Sequence, residues 1–282
     1  MIKKLLGTIA LSLVCAVSVA AEGGYKLDHA PDRINDMASL QNGAKLFVNY
    51  CLGCHSASSM RYNKLTEIGL TDEQIKKNLL FTGEKVGDLM HIAMTPQDAK
   101  KWFGAAPPDL SVIARAKSTT MGPSGVDYVY TFLRTFYRDT SKATGWNNLV
   151  FPSVGMPNVL WQLQGPRALE HVTIHDVAKA DGSSQWERHT AKYDAQGFSE
   201  IKTEVLKDYE GASVDKAVLS SPDPRMTAVF DNNVADLSNF LGWMAEPMQQ
   251  QRKQMGVWIL LFLSFFLLVA WRLNAAYWKN VK

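Results

Sequence analysis

The string Cys51-Leu52-Gly53-Cys54-His55 decides the interpretation of this chain, because it has the pattern C-x-x-C-H. Thiols at this spacing can each add to one vinyl group of a single haem, and the histidine that follows can bind the iron from one side. The sequence therefore predicts one covalently attached haem c, with thioether bonds at Cys51 and Cys54 and with His55 as an iron ligand.

Three alternatives to haem compete for this string: half of a zinc site, a thiol-disulfide redox pair, and coincidence. A structural zinc site needs four protein ligands, and the third cysteine of the chain, Cys15, lies in a segment that we predict to be removed. A thioredoxin-like pair follows a strand in a βαβ unit, whereas the residues before Cys51 have helical spacing. The haem interpretation is favoured.

Residues 1–21 have the composition of a cleaved secretory signal. A basic start is followed by an apolar stretch and then by the small-residue tail Ser18-Val19-Ala20-Ala21. We predict cleavage after Ala20 or Ala21. The signal places the rest of the chain outside the cytoplasm, where c-type haem is attached, and it indicates a bacterial periplasm.

A second apolar run, Met255 to Trp271, has 17 residues without a charge, and it reaches Trp278 if the lone Arg272 is included. About 20 apolar residues are enough to cross a bilayer as a helix. We predict a membrane anchor over residues 251–278. Because the signal exports the body, residues 22–250 form a periplasmic domain and residues 279–282 a cytoplasmic tail, which makes this a single-pass protein of the bacterial inner membrane.

The net charge of the exported body differs in sign from that of the whole chain, because the two ends of the chain are basic. The whole chain has a net charge of +3, but residues 22–250 contain 23 Lys+Arg against 27 Asp+Glu, a net charge of −4. A nucleic-acid binder needs a basic face to neutralise phosphates, so this class is excluded. A mildly acidic domain suits a basic protein partner.

The body between the ends has mostly helical patterning. Apolar spacing and capping residues predict helices over residues 37–50, Thr71–Phe81, Gly125–Tyr137 and Met226–Met244. Glu246-Pro247 predicts a break before the anchor. Residues 165–222 are more polar, and the turn Asp181-Gly182-Ser183-Ser184 predicts a β-hairpin inserted into the helical domain.

Haem iron takes a sixth ligand, and its identity sets the function. A methionine opposite the histidine leaves no open position, which suits electron transfer. Met121-Gly122-Pro123 and Gly155-Met156-Pro157 both present a methionine in a loop, and the residues alone do not separate them. A second histidine is the less favoured alternative, with these candidates: His91, His171, His175 and His189.

Three further strings follow the haem motif in order and precede the anchor. They are Ala106-Pro107-Pro108-Asp109-Leu110-Ser111, Asp127-Tyr128-Val129-Tyr130-Thr131-Phe132-Leu133-Arg134 and Gly155-Met156-Pro157-Asn158-Val159-Leu160-Trp161. Together with the haem motif they resemble the cytochrome c1 family, the haem subunit of the ubiquinol:cytochrome c oxidoreductase (the bc1 complex). The resemblance covers essentially the whole mature chain and is weakest across residues 165–222.

The resemblance implies roles for particular residues. It selects Met156 as the sixth iron ligand, and it places a Pro107 or Pro108 carbonyl next to the ring N–H of His55. Arg115 and Lys117 resemble residues near the haem propionates, although family members often have arginine at the position of Lys117. Tyr128 resembles a tyrosine of the same pocket.

The resemblance also implies the fold and the function: a mainly α, class I-like cytochrome c domain with loop and β-hairpin insertions and one C-terminal transmembrane helix. Such a protein accepts an electron from a Rieske iron-sulfur subunit and passes it to cytochrome c, beside cytochrome b, in a dimeric complex. It is not an enzyme on its own. The alternative is an anchored monohaem c subunit of a terminal oxidase or nitric oxide reductase. A haem peroxidase is less favoured, because exported peroxidases of this type usually carry two haem strings.

Overall fold

The computed structural model of the protein describes residues 25–178 and 183–280. The predicted signal, the residues Asp181 and Gly182 of the predicted turn, and the last residues of the predicted tail lie outside the described residues. Within these ranges the chain has a helical body, a four-stranded antiparallel sheet and a long apolar C-terminal helix.

The helices of the described chain are α1 (Met37–Leu46), α2 (Asp72–Asn78), α3 (Pro96–Phe103), α4 (Ile113–Ala116), α5 (Gly125–Arg134), α6 (Trp161–Gln164), α7 (Pro224–Ala245) and α8 (Gln249–Tyr277). A π-helical turn (Phe47–Cys51) continues α1, and a 3-10 helix spans Tyr62–Ile68. The strands are β1 (Ala57–Arg61), β2 (Leu89–Met90), β3 (Phe136–Arg138), β4 (Trp146–Asn148), β5 (Ala168–Ala178), β6 (Ser184–Tyr193), β7 (Ser199–Leu206) and β8 (Val214–Ser220). β1 pairs with β2, β3 with β4, and the larger sheet has the order β7-β6-β5-β8.

The contact between α1 and α7 forms the frame of the helical body. A Cβ on Gly43 of α1 would lie 2.3 Å from the Asp236 carbonyl oxygen of α7, so only glycine permits this approach. The Asp236 carboxylate accepts hydrogen bonds from the Ser39 hydroxyl (2.6 Å) and the Asn42 amide (2.8 Å). These contacts fix α1, and therefore the haem motif that follows it, against the main core.

The predicted helices are present, with differences at two ends: α2 ends at Asn78 rather than at Phe81, and α5 also ends earlier than predicted. The Thr71 hydroxyl and the Gln74 side chain form the capping box that begins α2. α5 begins after the Ser124 cap as predicted, but it ends at Arg134 rather than at Tyr137. Residues Phe136–Arg138 pair with β4 instead, because the extended backbone there finds a partner strand that local spacing cannot reveal.

The predicted hairpin is present as β5 and β6, but it belongs to a larger sheet. β7 pairs with the outer side of β6, and β8 pairs with the other side of β5. The sheet contacts β3 and β4 through a small second core, in which Tyr137, Leu149 and Leu169 are buried. The added strands are largely exposed and few of their residues are strongly apolar, so their signal in the sequence is weak.

The helix α8 satisfies the requirements of a membrane span. It has 29 residues, and none of its most apolar window is buried against the rest of the described chain. It is separated from α7 by a short break at residues 246–248, where Glu246-Pro247 predicted one. An isolated apolar helix of this length is stable in lipid, where its backbone groups are bonded internally.

Candidate functional site

The C-x-x-C-H motif follows directly from α1 through the π-helical turn. The backbone then turns tightly, because the N–H groups of Cys54 and His55 both donate to the Cys51 carbonyl, at 3.0 and 2.9 Å. Both thiols are free; Cys51 is buried and Cys54 is exposed. Burial raises the pKa of the Cys51 thiol to about 12, with a smaller contribution from Cys54.

The imidazole of His55 is fixed by the loop that contains Pro107 and Pro108. Its Nδ1 lies 2.7 Å from the Pro108 carbonyl oxygen. A carbonyl only accepts hydrogen bonds, so Nδ1 carries the proton and Nε2 is left with a free lone pair. Of the two carbonyls that the resemblance offers, Pro108 makes this contact. Burial lowers the pKa of His55, against the opposing influence of the Pro108 carbonyl and Asp109.

Three hydrogen bonds hold that loop against the residues after the motif. The Leu110 N–H donates to the Ser56 carbonyl (2.9 Å), the Ser58 N–H to an Asp109 carboxylate oxygen (2.8 Å), and the Ser59 N–H to the Ser111 hydroxyl (2.9 Å). Sequence reasoning missed the roles of Asp109 and Ser111. Their signal is local: Asp109 also accepts from the Ser111 N–H, a turn typical of Asp-x-Ser.

The structure separates the two methionines that the residues alone left equal. Met121 is 84% exposed, whereas Met156 is half-buried and packs against the main core. The loop of Met156 is held by the buried Asn158, whose side chain accepts from the Leu160 N–H (3.0 Å) and donates to Gln164 (2.8 Å). Sequence reasoning missed this role of Asn158.

Of the alternative histidine ligands, His91 lies close to the haem motif and the other three lie on the sheet. His91 is exposed, beside the Ser58 hydroxyl. The other three are on the sheet: His171 pairs with Asp215 at 2.7 Å, and the rings of His175 and His189 stack with centroids 4.9 Å apart. These sheet residues belong to elements that pack on the second core rather than on the core around the motif.

The three residues predicted around the haem fall into two groups. The Lys117 ammonium lies 4.8 Å from the centre of the Tyr128 ring, which stacks on Phe132. Arg115 is directed instead toward the end of α7, with its guanidinium 3.9 Å from the Glu246 carboxylate and its side chain 69% exposed. The structure therefore brings Lys117 and Tyr128 together and leaves Arg115 apart from them.

The donor set at the motif fits haem c better than zinc. It offers two free thiols at the vinyl spacing, an imidazole with one free nitrogen, and a thioether on a separate loop. Across residues 25–178 and 183–280, no three His, Cys, Asp or Glu side chains are grouped so that they could hold a metal ion. A zinc site built on the same cysteines would need such a group.

Comparisons with known proteins agree with this chemistry. The model of the cytochrome C1 family matches residues 30–185 and 221–281, which leaves only residues 186–220 unmatched inside the span. The chain is 38% identical over 280 residues to cytochrome c1 of Allochromatium vinosum, covering 99% of each protein. It is 39% identical over 281 residues to the ammonia monooxygenase gamma subunit of Nitrosomonas europaea, covering 100% of this chain and 99% of the relative.

A more distant relative extends the same match. Cytochrome c1 of Rhodospirillum rubrum is 26% identical over 311 residues, covering 97% of this chain and 96% of the relative. These full-length matches do not favour the alternative of an oxidase or reductase subunit. The chain belongs to the cytochrome c1 family: it is a single-pass membrane protein with one covalently attached haem c, and an electron-transfer subunit of the bc1 complex rather than an enzyme by itself.

Proposed function

We propose that Cys51 and Cys54 hold the haem through thioether bonds, that His55 and Met156 are the axial iron ligands, and that the haem body has a class I-like cytochrome c fold. The observation that carries the ligand assignment is the 2.7 Å contact between His55 Nδ1 and the Pro108 carbonyl. That contact fixes the tautomer in which Nε2 can bind iron. The half-buried Met156, rather than the exposed Met121, supplies the opposite ligand.

The haem supplies a one-electron iron couple when bound. The chain's own residues orient the ligands. The hydrogen bonds around Asp109 keep His55 in place, and Asn158 keeps the Met156 loop against the core. A Met156 thioether bound to that iron would raise its potential and would suit the site to electron transfer rather than to oxygen binding.

We also propose a membrane topology for the chain and a donor and an acceptor for its electron. We assign residues 1–21 to a cleaved signal, residues 22–250 to a periplasmic domain, residues 251–278 to the anchor and residues 279–282 to the cytoplasmic side. Electrons arrive from the Rieske subunit and leave to a cytochrome c, in a dimeric complex with cytochrome b. The net charge of −4 on residues 22–250 favours a basic acceptor.

We also propose positions around the haem for the two groups described above, Lys117 with Tyr128 and Arg115 by itself. Lys117 and Tyr128, which lie together, are proposed to contact the haem, with Lys117 at a propionate. Arg115 is proposed at the other propionate; its 69% exposed side chain is free to leave the 3.9 Å contact with Glu246.

The mass and spectrum of the purified membrane protein test this proposal. We expect a pyridine haemochrome spectrum of c type, one haem mass added to a chain that begins after Ala20 or Ala21, and no alkylation of Cys51 or Cys54. A mature chain at its bare amino-acid mass would contradict the proposal. Reduction of the haem by quinol in membranes, together with co-purification of a b-type cytochrome, tests the place of the protein in the bc1 complex, and the absence of both would contradict that place.

A further inference from the structure

The strand β7 forms one edge of the four-stranded sheet. β6 pairs with one side of it, and no other strand in the described parts of the chain pairs with its outer side. Two apolar side chains of this strand are exposed, Ile201 at 64% and Val205 at 53%. A regular exposed edge of this kind is a ready template for another strand unless a partner covers it.

The turn before β7 shows which backbone groups face outward. The Asp194 N–H donates to the Phe198 carbonyl at 3.0 Å, so Phe198 directs its backbone toward β6. Successive residues of an antiparallel strand alternate between the two neighbouring sides. Ile201, Thr203 and Val205 therefore direct their N–H and C=O groups away from β6, toward the free edge.

The side chains of β7 form a pattern that is symmetric about Thr203. The strand reads Glu200-Ile201-Lys202-Thr203-Glu204-Val205-Leu206. We infer that this edge pairs with the β7 edge of a second copy of the chain, antiparallel, with Thr203 opposite Thr203. Each Lys202 then lies opposite Glu204 of the other copy, and each Ile201 opposite Val205. Opposite charges and apolar pairs across neighbouring strands both stabilise a sheet.

Other registers of the same pairing are less favourable. A register centred on Lys202 places two ammonium groups opposite each other, which is destabilising. A register centred on Ile201 keeps the opposite charges, but it has one apolar pair instead of two and its end runs into the turn at Phe198. The register centred on Thr203 uses the whole strand and the backbone groups that face outward.

A second copy fits this edge because of its charges. Lys202 and Glu204 have opposite charges and lie at equal distances on either side of Thr203, so an antiparallel copy centred there brings each of them opposite the other. The strand lies within residues 186–220, outside the residues that the family model matches. The inference deepens the dimeric complex proposed above and rests on it.

Cysteine cross-linking in membranes tests the register on the full chain. Under mild oxidation we expect Thr203→Cys to give a disulfide-linked dimer that stains for haem, because opposite Cα atoms in such a pair are about 5.5 Å apart, within disulfide reach. Val205→Cys is the matched control on the same strand and face: in this register its two copies are too far apart to link. Ile201→Cys together with Val205→Cys should link again, and this pair also tests the register if Thr203→Cys does not accumulate.

Charge reversal tests the pairing independently. In the Thr203→Cys background, Glu204→Lys places lysine opposite Lys202 and should lower the cross-link yield several-fold, whereas Lys202→Glu with Glu204→Lys should restore it. Any of three results would overturn the inference. One is an equal cross-link yield in Thr203→Cys and in its two charge variants, another is cross-linking by Val205→Cys but not by Thr203→Cys, and the last is a cross-link to a polypeptide of another mass. Haem content and quinol-dependent reduction, measured on the same membranes, report separately on the proposed function.

Discussion

The helical body and the four-stranded sheet of this protein are held in different ways. In the body, close contacts such as Gly43 on Asp236 and the hydrogen bonds around Asp109 leave little freedom to the residues around the haem motif. The sheet has only a small core of its own, and most of its side chains are at least partly exposed. The family model omits residues 186–220, which include most of β6 and the whole of β7 and β8, but it matches β5. Packing therefore holds the body more tightly than the sheet, and substitutions in the two regions should have different effects.

The largest effect is expected at the haem attachment. Cys54→Ser removes one of the two thiols and should prevent stable maturation, so the chain should not accumulate with haem in membranes. Val218→Ser, at a 47% exposed position of the sheet, is the control and should retain full haem content. Haem staining and immunodetection of the same membranes give the measurement. Normal haem content in Cys54→Ser would contradict the covalent assignment.

The two methionine loops give the next largest contrast. Met156→Leu should keep the haem attached but lower its reduction potential and allow the ferrous iron to bind CO, because the sixth ligand is lost. Met121→Leu, at a position 84% exposed, should change neither property. Redox titration and CO difference spectra measure both variants. If Met121→Leu produced the change and Met156→Leu did not, the ligand assignment would be wrong.

The comparison of regions also shows what the sequence could predict. The haem motif, the capping box of Thr71 and Gln74, and the break at Glu246-Pro247 are local signals, and each is found where expected. The strands β7 and β8 were not predicted, because they are largely exposed and few of their residues are strongly apolar, and because β8 pairs with the distant β5.

Within the site, sequence showed the residue types but not their geometry. The residues alone left Met121 and Met156 equal, and only the family resemblance selected Met156; the difference in burial between them depends on the whole fold. Likewise, the part of Asp109 in holding the His55 loop depends on the Ser58 backbone, which is 51 residues away in sequence. Contacts of this kind leave no local pattern.

A smaller effect is expected from the helix crossing in the body. A Cβ at position 43 would lie 2.3 Å from a backbone oxygen of α7, so Gly43→Ala must move α1 or α7. Overpacking of this kind costs about 1–3 kcal/mol. Thermal unfolding in detergent, followed by the haem absorbance, should show a lower Tm. Gly87→Ala is the control, since a Cβ there meets nothing within 4 Å; an equal loss in both variants would contradict the close contact.

A pH-dependent effect of about 1 kcal/mol is expected from Asp127, the third helical residue of α5, which forms a capping box with the N-cap Ser124. Burial opposes ionisation of this carboxyl, but hydrogen bonds from the Ala30 N–H and from Ser124 hold its pKa below the ordinary value. A lowered pKa in the folded state gives stability that is present above the unfolded pKa, about 3.9, and lost as pH falls through the folded pKa. Asp127→Asn should be less stable than the wild type at pH 7, and the difference should shrink toward pH 3. Thermal unfolding at both pH values measures this, and a constant difference would contradict it.

The smallest effect is expected on the sheet, at His171. Its Nε2 contacts Asp215 at 2.7 Å, and the two side chains are 30% and 59% exposed, so solvent screens the pair. Exposed pairs of this kind contribute about 0–1 kcal/mol. His171→Gln should therefore leave the Tm, the haem spectrum and the reduction potential close to those of the wild type. A large fall in potential or a new CO-binding form would show instead that a sheet histidine binds the iron, and the separation between a tightly constrained body and a tolerant sheet would fail.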